Sequence, residues 1–163
     1  MNTQKLLILL TILLVAGGTL FFLPSDEKKI RNNMAAFADY CSSIKKEPPL
    51  ETLKKAALSA RLCSNPCWVQ ITSLNIDRAF NTKEFSDHIL ILKKALTNTR
   101  FNFHDTVIDF PADNRAEIMT TLRLAGKTKD SRFTDAYEMK ILVEKRDGDW
   151  LFSSFTVVEF IEQ

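Results

Sequence analysis

Residues 6–23, LLILLTILLVAGGTLFFL, carry no charge and stand directly behind a single early lysine, Lys5. As a helix rising 1.5 Å per residue, such a run measures roughly 27 Å, close to the ~30 Å hydrocarbon layer of a bilayer. Its eight Leu, two Ile and two Phe each favour insertion by about 0.3 to 0.6 kcal/mol. The run has no polar face, so it does not pattern as a helix laid against a folded core. The chain therefore divides into a short head at 1–5, a transmembrane anchor at 6–23 and a folded domain at 24–163. A cleaved signal peptide is the rival reading. Its apolar region is usually about 7–15 residues long and ends at a small-x-small site, which Ala16-Gly17-Gly18 fits poorly. Lys28, Lys29 and Arg31 behind the run point the domain toward the cytoplasm. The short head before one apolar run points to export instead. The expectation is a single-pass membrane protein with an extracytoplasmic domain, periplasmic if the source is a bacterium, whose first partner is the lipid bilayer.

Beyond the run lie about 140 residues, enough for one domain with a single sizeable core. The whole chain holds 22 basic and 20 acidic residues, a formal net charge of +2. Such a balance gives no electrostatic reason for a nucleic-acid partner. Of the three cysteines, Cys63 and Cys67 flank Ser64-Asn65-Pro66, a turn sequence that can bring two thiols within disulfide reach. They read either as a disulfide in an oxidising compartment or as two small buried side chains. No second cysteine pair or nearby histidine completes a zinc site, and no metal or cofactor is expected.

Ser25 before Asp26 and Glu27 is a helix start, and Ile30, Met34, Phe37, Cys41 and Ile44 form one apolar stripe on a helix over 26–45. Pro48-Pro49 opens a second helix near 49–62, with Leu50, Leu53, Ala57 and Ala60 expected to face inward. The turn at 63–67 leads into a short strand over 67–72. Asn81 with Glu84 is a capping box for a third helix at 82–97, with Phe85, Ile89, Leu92 and Leu96 on one side. From Thr99 the apolar period becomes two. Strands are expected at 99–110, 115–127, 132–146 and 149–161, the last two joined at Asp147-Gly148 by a type I′ turn. These strands are far longer than the usual ~5–6 residues, so the sheet must twist and curl. The fold class is α+β: three N-terminal helices packed on a strongly curved antiparallel sheet, behind one transmembrane helix.

This order of elements, the C-terminal stretch YEMKILVEKRDGDWLF at 137–152 and the turn Asp113-Asn114-Arg115-Ala116 together resemble the nuclear transport factor 2-like superfamily, the cystatin-like cone. The resemblance covers roughly residues 26–163. It implies a pocket between the concave sheet and the helices, which serves isomerases, dehydratases, ligand carriers or only assembly in different members. By position Tyr40 matches the helix-one tyrosine of the isomerase-like members. The base expected near the end of the second helix is missing, because that segment reads Leu62-Cys63-Ser64-Asn65-Pro66. Tethered cones of this kind also occur in envelope secretion and transport assemblies.

Tyr40, Trp68, His88, Tyr137 and Trp150 are the candidate pocket residues, and the aromatics among them either line a cavity or fill it. No catalytic set is assigned. His104 and Asp105 are adjacent on a strand, so they point to opposite faces and make no dyad. Asp105 and Asp109 share a face, roughly 13 Å apart at 3.3 Å per residue, too wide for a shared reacting group. The leading expectation is a non-enzymatic binding or assembly module, forming a homodimer or docking an envelope protein. The alternatives are a small isomerase- or dehydratase-like enzyme, with Tyr40 and one histidine as acid and base, or a carrier of an apolar small molecule.

Overall fold

The computed structural model describes residues 25–43, 47–128 and 131–161. The anchor expected at 6–23 lies outside the described residues, as do the head and Ile44. Among the described residues no helix is long and apolar enough to cross a membrane.

Helix α1 (Asp26–Cys41) starts where the Ser25 side chain accepts from Lys28 N at 3.2 Å, with Asp26 and Glu27 in its first turn. Ile30, Met34, Phe37 and Cys41 are all buried, each large side chain contributing about 1.5–3 kcal/mol. The helix stops short of residue 45. Ser42 is extended, its hydroxyl donates back to Ala38 O at 2.7 Å and accepts from Phe101 N at 2.9 Å, and Ser43 bridges to Thr99. The chain end of α1 is thus sewn to the sheet.

Helix α2 (Pro49–Arg61) presents a different face from the one its leucines suggest. Ala56, Ser59 and Ala60 are buried, whereas Leu50 is 79% exposed, Leu53 51% exposed, and Ala57 exposed. Small side chains let the helix backbone lie close to its neighbours, and the leucines of the first turns project past that contact. Spacing alone does not choose between two apolar stripes one residue apart.

The segment at 63–67 is not a turn. Strand β1 (Cys63–Ile71) begins at the first cysteine, and its register shifts between Cys63 and Trp68, where the Asn65-Pro66 bond is cis. A short 3-10 turn (Thr72–Leu74), with Asn75 left-handed at φ 53, leads to β2 (Ile76–Phe80), a strand the sequence pattern does not announce. Helix α3 (Thr82–Ala95) carries the expected capping box: Glu84 N donates to Asn81 Oδ1 at 2.9 Å and Asn81 N to Glu84 Oε2 at 3.0 Å.

Strands β3 (Thr97–Ala112), β4 (Arg115–Lys127), β5 (Arg132–Arg146) and β6 (Asp149–Ile161) follow the period-two pattern closely. Asp147 and Gly148, at φ 51 and 90, make the turn between the last two. The six strands form one sheet in the order β2-β1-β6-β5-β4-β3. All pairs are antiparallel except β1 with β6, which are parallel. That pairing corrects the expectation of a purely antiparallel sheet, and it follows because β1 returns alongside the last strand rather than joining the meander. In β3, Asp105 sits at φ 50 and the register shifts between His104 and Val107. This bulge breaks the alternation that placed Asp105 and Asp109 on one face. Thr120, buried on β4, secures the bulge by donating to His104 O at 2.9 Å.

Val69, Phe155, Ile141, Ile118 and Ile108 lie in register across five strands and face the helices. Phe37 of α1 packs into this row, its ring 5.2 Å from Phe155, 5.6 Å from Phe152 and 6.3 Å from Phe85.

Candidate functional site

At the end of the sheet farther from the start of α1, the concave face does not close on its helices. A cavity of about 310 Å³ remains there, lined by fifteen residues. α1 supplies Phe37 and Cys41, β1 Val69 and Ile71, and β2 Ile76 and Phe80. α3 supplies Phe85, His88, Ile89 and Leu92, with Phe101, Phe103, Leu122, Met139 and Phe155 reaching in from the four long strands. Thirteen of the fifteen are hydrocarbon or thioether side chains. Only the Cys41 thiol and the His88 imidazole are polar. Burial pushes the Cys41 thiol up to about 12, the Lys93 charge pulling the other way, so it stays protonated and unreactive. The volume lies at the lower end for small-molecule pockets.

His88 lines the cavity and is exposed, which places it at the mouth. Its Nδ1 stands 2.8 Å from Glu84 O, one helical turn earlier, and its ring meets that of Phe80 edge-on at 4.8 Å. On Phe80 also sits the Arg78 guanidinium, 4.3 Å from the ring centroid and 3.6 Å from Glu84 Oε1. The mouth is therefore a polar rim on an apolar interior.

Of the five residues expected at a pocket, the structure brings only His88 to this one. Trp68 is 48% exposed on the sheet face away from the helices, where its indole donates to Asp77 Oδ1 at 2.7 Å. Tyr137 is half-buried against the core, its hydroxyl donating to Asp135 Oδ2 at 3.3 Å; burial and then the Asp135 charge push it upward. Trp150 is buried at the other end of the core, edge-on to Phe110 at 5.8 Å and under the Lys145 ammonium at 5.4 Å. Lys145, bonded to Asp26 at 2.9 Å, holds that carboxyl below its ordinary range, with help from the nearby Trp150 indole N–H. That N–H has no well-formed hydrogen bond of its own. Tyr40 is half-buried, and its main-chain oxygen accepts from Lys93 Nζ at 3.0 Å. His104 is exposed on β3, outside the cavity wall.

Cys63 and Cys67 are free thiols, both buried, Cys63 Sγ donating to Ser59 O at 3.6 Å and Cys67 Sγ to Trp68 O at 3.9 Å. The neighbouring Cys67 thiol, with burial behind it, pushes the Cys63 thiol upward. A closed disulfide is not the state of this structure. Among the described residues no group of three or more His, Cys, Asp or Glu side chains gathers at ion-binding distance.

Lys93 is the site-adjacent residue that sequence reading misses. Its side chain is 1% exposed on α3, and Nζ lies 2.6 Å from Ser42 O and 3.4 Å from Glu47 Oε2. The only sequence signal is weak, an amphipathic helix with a lysine one position after the apolar Leu92.

No family model and no curated protein sequence matches the chain. Solved structures of low identity share its fold. A candidate scytalone dehydratase from Novosphingobium aromaticivorans is 14% identical, with 84% of this chain and 85% of that one covered and a TM-score of 0.66. A protein from Kribbella flavida is 14% identical over 85% of this chain and 94% of its own, with a TM-score of 0.69. A protein with a cystatin-like fold from Nostoc punctiforme is 12% identical over 85% and 92%, with a TM-score of 0.62. At such identities the likeness shows the fold alone: the chain has the cystatin-like, nuclear transport factor 2-like α+β architecture, three helices on a curved six-stranded sheet.

Proposed function

We propose that this domain binds a small, mainly apolar molecule inside the cone and holds it without transforming it. The carrying observation is the wall: an open-mouthed cavity of about 310 Å³ lined by thirteen apolar side chains, a protonated thiol and one imidazole. Acid–base chemistry needs a second polar group converging on the reacting atom, and the wall offers none besides His88 and the inert thiol. Burying apolar ligand surface at about 25 cal/mol per Å² supplies the affinity instead.

The test is titration of the full chain in lipid nanodiscs with 4-ethylphenol, a probe of about nine heavy atoms that such a volume accommodates. Leu122→Trp, which plugs the cavity from β4, serves as the control for partition into lipid. Saturable binding in the native chain, weakened at least about tenfold by the plug, is expected. Binding that Leu122→Trp leaves unchanged overturns the reading.

The same reading keeps the domain on a membrane through residues 6–23. Supporting this, α1 begins at Asp26, just beyond the apolar run. Phe37 and Cys41 at the cavity lie about 16 Å or more farther along the helix axis, so the mouth is remote from the tethered end. Full-length chain should stay with membranes through a high-salt wash. Leu9→Lys combined with Leu13→Lys should release it. Native chain found intact in the aqueous fraction refutes the tether and leaves the cavity reading standing.

A further inference from the structure

We infer that the ligand of this cavity is an amphiphile, a compact apolar body carrying one hydrogen-bond-donating head, a hydroxyl or phenol, that seats on His88 Nε2. The inference rests on the reading of the cavity as a ligand site and specifies what that ligand must carry.

A main-chain carbonyl oxygen can only accept, so the 2.8 Å contact between His88 Nδ1 and Glu84 O puts a proton on Nδ1. In the neutral ring Nε2 then bears the lone pair and can only accept. Among the described residues Nε2 has no hydrogen-bond partner. The ring is held from two sides, by that helical bond and by the edge contact with Phe80 at 4.8 Å. An acceptor of fixed tautomer therefore stands at the mouth of a cavity whose remaining lining side chains, the protonated Cys41 thiol aside, offer no polar group. Water serves this nitrogen while the cavity is empty. A wholly apolar ligand that fills the mouth strips that water and returns nothing, whereas a ligand with a donor at one end restores the bond as its body enters.

Arg78 shares the helix-facing side of β2 with Phe80 but is not among the residues that line the cavity. Its guanidinium lies on Phe80 and beside Glu84, so it is already engaged, and a head of full negative charge finds no free cation there. That favours a neutral donor over a carboxylate or phosphate head.

The experiment compares 4-ethylphenol with 4-ethylanisole, its methyl ether, on the full chain in nanodiscs, with Leu122→Trp subtracting lipid partition. The two probes have nearly the same body, and only the phenol can donate. The phenol should bind about three- to tenfold more tightly. His88→Phe, which keeps an aromatic ring beside Phe80, should erase that preference. His88→Gln, whose amide oxygen accepts, should restore part of it. If both probes bind equally to the native chain, or His88→Phe leaves the preference intact, the head-group inference is overturned and the cavity reading stands. If neither probe binds saturably, both fall together.

Discussion

Lys93 Nζ stands 2.6 Å from the main-chain oxygen of Ser42, so a side chain of α3 closes the C-terminal end of α1. The last carbonyls of a helix lack partners within it and carry partial negative charge. Here the carbonyls of Tyr40 and Ser42 share one ammonium, and Glu47 balances its charge at 3.4 Å. Removing the cation takes the shared donor from the carbonyls of Tyr40 and Ser42 and leaves the largely buried Glu47 with Lys55 alone. Lys93→Met should cost about 3 kcal/mol, read as a lower urea midpoint with an unchanged slope. A loss below about 0.5 kcal/mol would show that water replaces the ammonium freely.

Glu47 gives the fold an acid-sensitive joint. Burial pushes its carboxyl upward, but the hydrogen bond from Lys55 at 2.9 Å and the charge of Lys93 outweigh that and leave it below its ordinary value of 4.5. With the folded pKa lower than the unfolded one, the unfolded chain binds more protons in the window between them. The stabilisation is therefore complete above about 4.5 and is lost as pH falls through the folded value. Asp26, lowered by Lys145, adds to the same trend. Urea midpoints taken from pH 6 down to pH 3 should fall less steeply in Glu47→Gln than in the native chain. Parallel curves would remove Glu47 from the account.

The buried face of α2 can be tested with two substitutions of opposite expectation. Ala60 is 1% exposed, and Ala60→Leu should overpack the contact and cost about 1–3 kcal/mol. Leu50→Ser, at a position with most of its surface in water, should change stability by no more than about 0.5 kcal/mol. Thermal melts of the two variants decide it, and the reverse ranking would restore the leucine face.

The elements with a long, unbroken period were legible from residues alone. Ile30, Met34, Phe37 and Cys41 mark α1, and Ala116, Ile118, Thr120 and Leu122 alternate along β4 as they do in the sheet. Legibility ended where tertiary contact overrides local pattern. On α2, Ala56 and Ser59 are buried because small side chains allow close approach, which no hydropathy scale rewards. At 63–67 the Asn-Pro signal for a turn lost to pairing of β1 with β6, a partner more than eighty residues away in sequence. The cavity was legible in outline only. It is a void left between the helices and the concave sheet, and voids are set by what fails to pack rather than by a motif. The large aromatics that looked suited to line it went elsewhere, Trp150 into the core and Trp68 onto the outer face.

The three cysteines offer the last test, because they report both packing and compartment. Cys41, Cys63 and Cys67 are all buried as free thiols. With its pKa at about 12, Cys41 exposes about one thiolate in ten thousand at pH 8, and Cys63 is pushed upward as well. A thiol reagent added to the folded, reduced chain should find almost nothing until urea is added, when all three react. Slow native labelling should then follow opening of the structure, and Lys93→Met should accelerate it first at Cys41, whose end of α1 the lysine closes. Prompt labelling of any cysteine in the native state would contradict the packing. The Cys63–Cys67 pair adds a second readout: in a chain recovered without reductant from an oxidising compartment, where an exchanging disulfide takes up the two hydrogens, unfolding should expose one thiol rather than three, because both thiols are buried at the start of one strand.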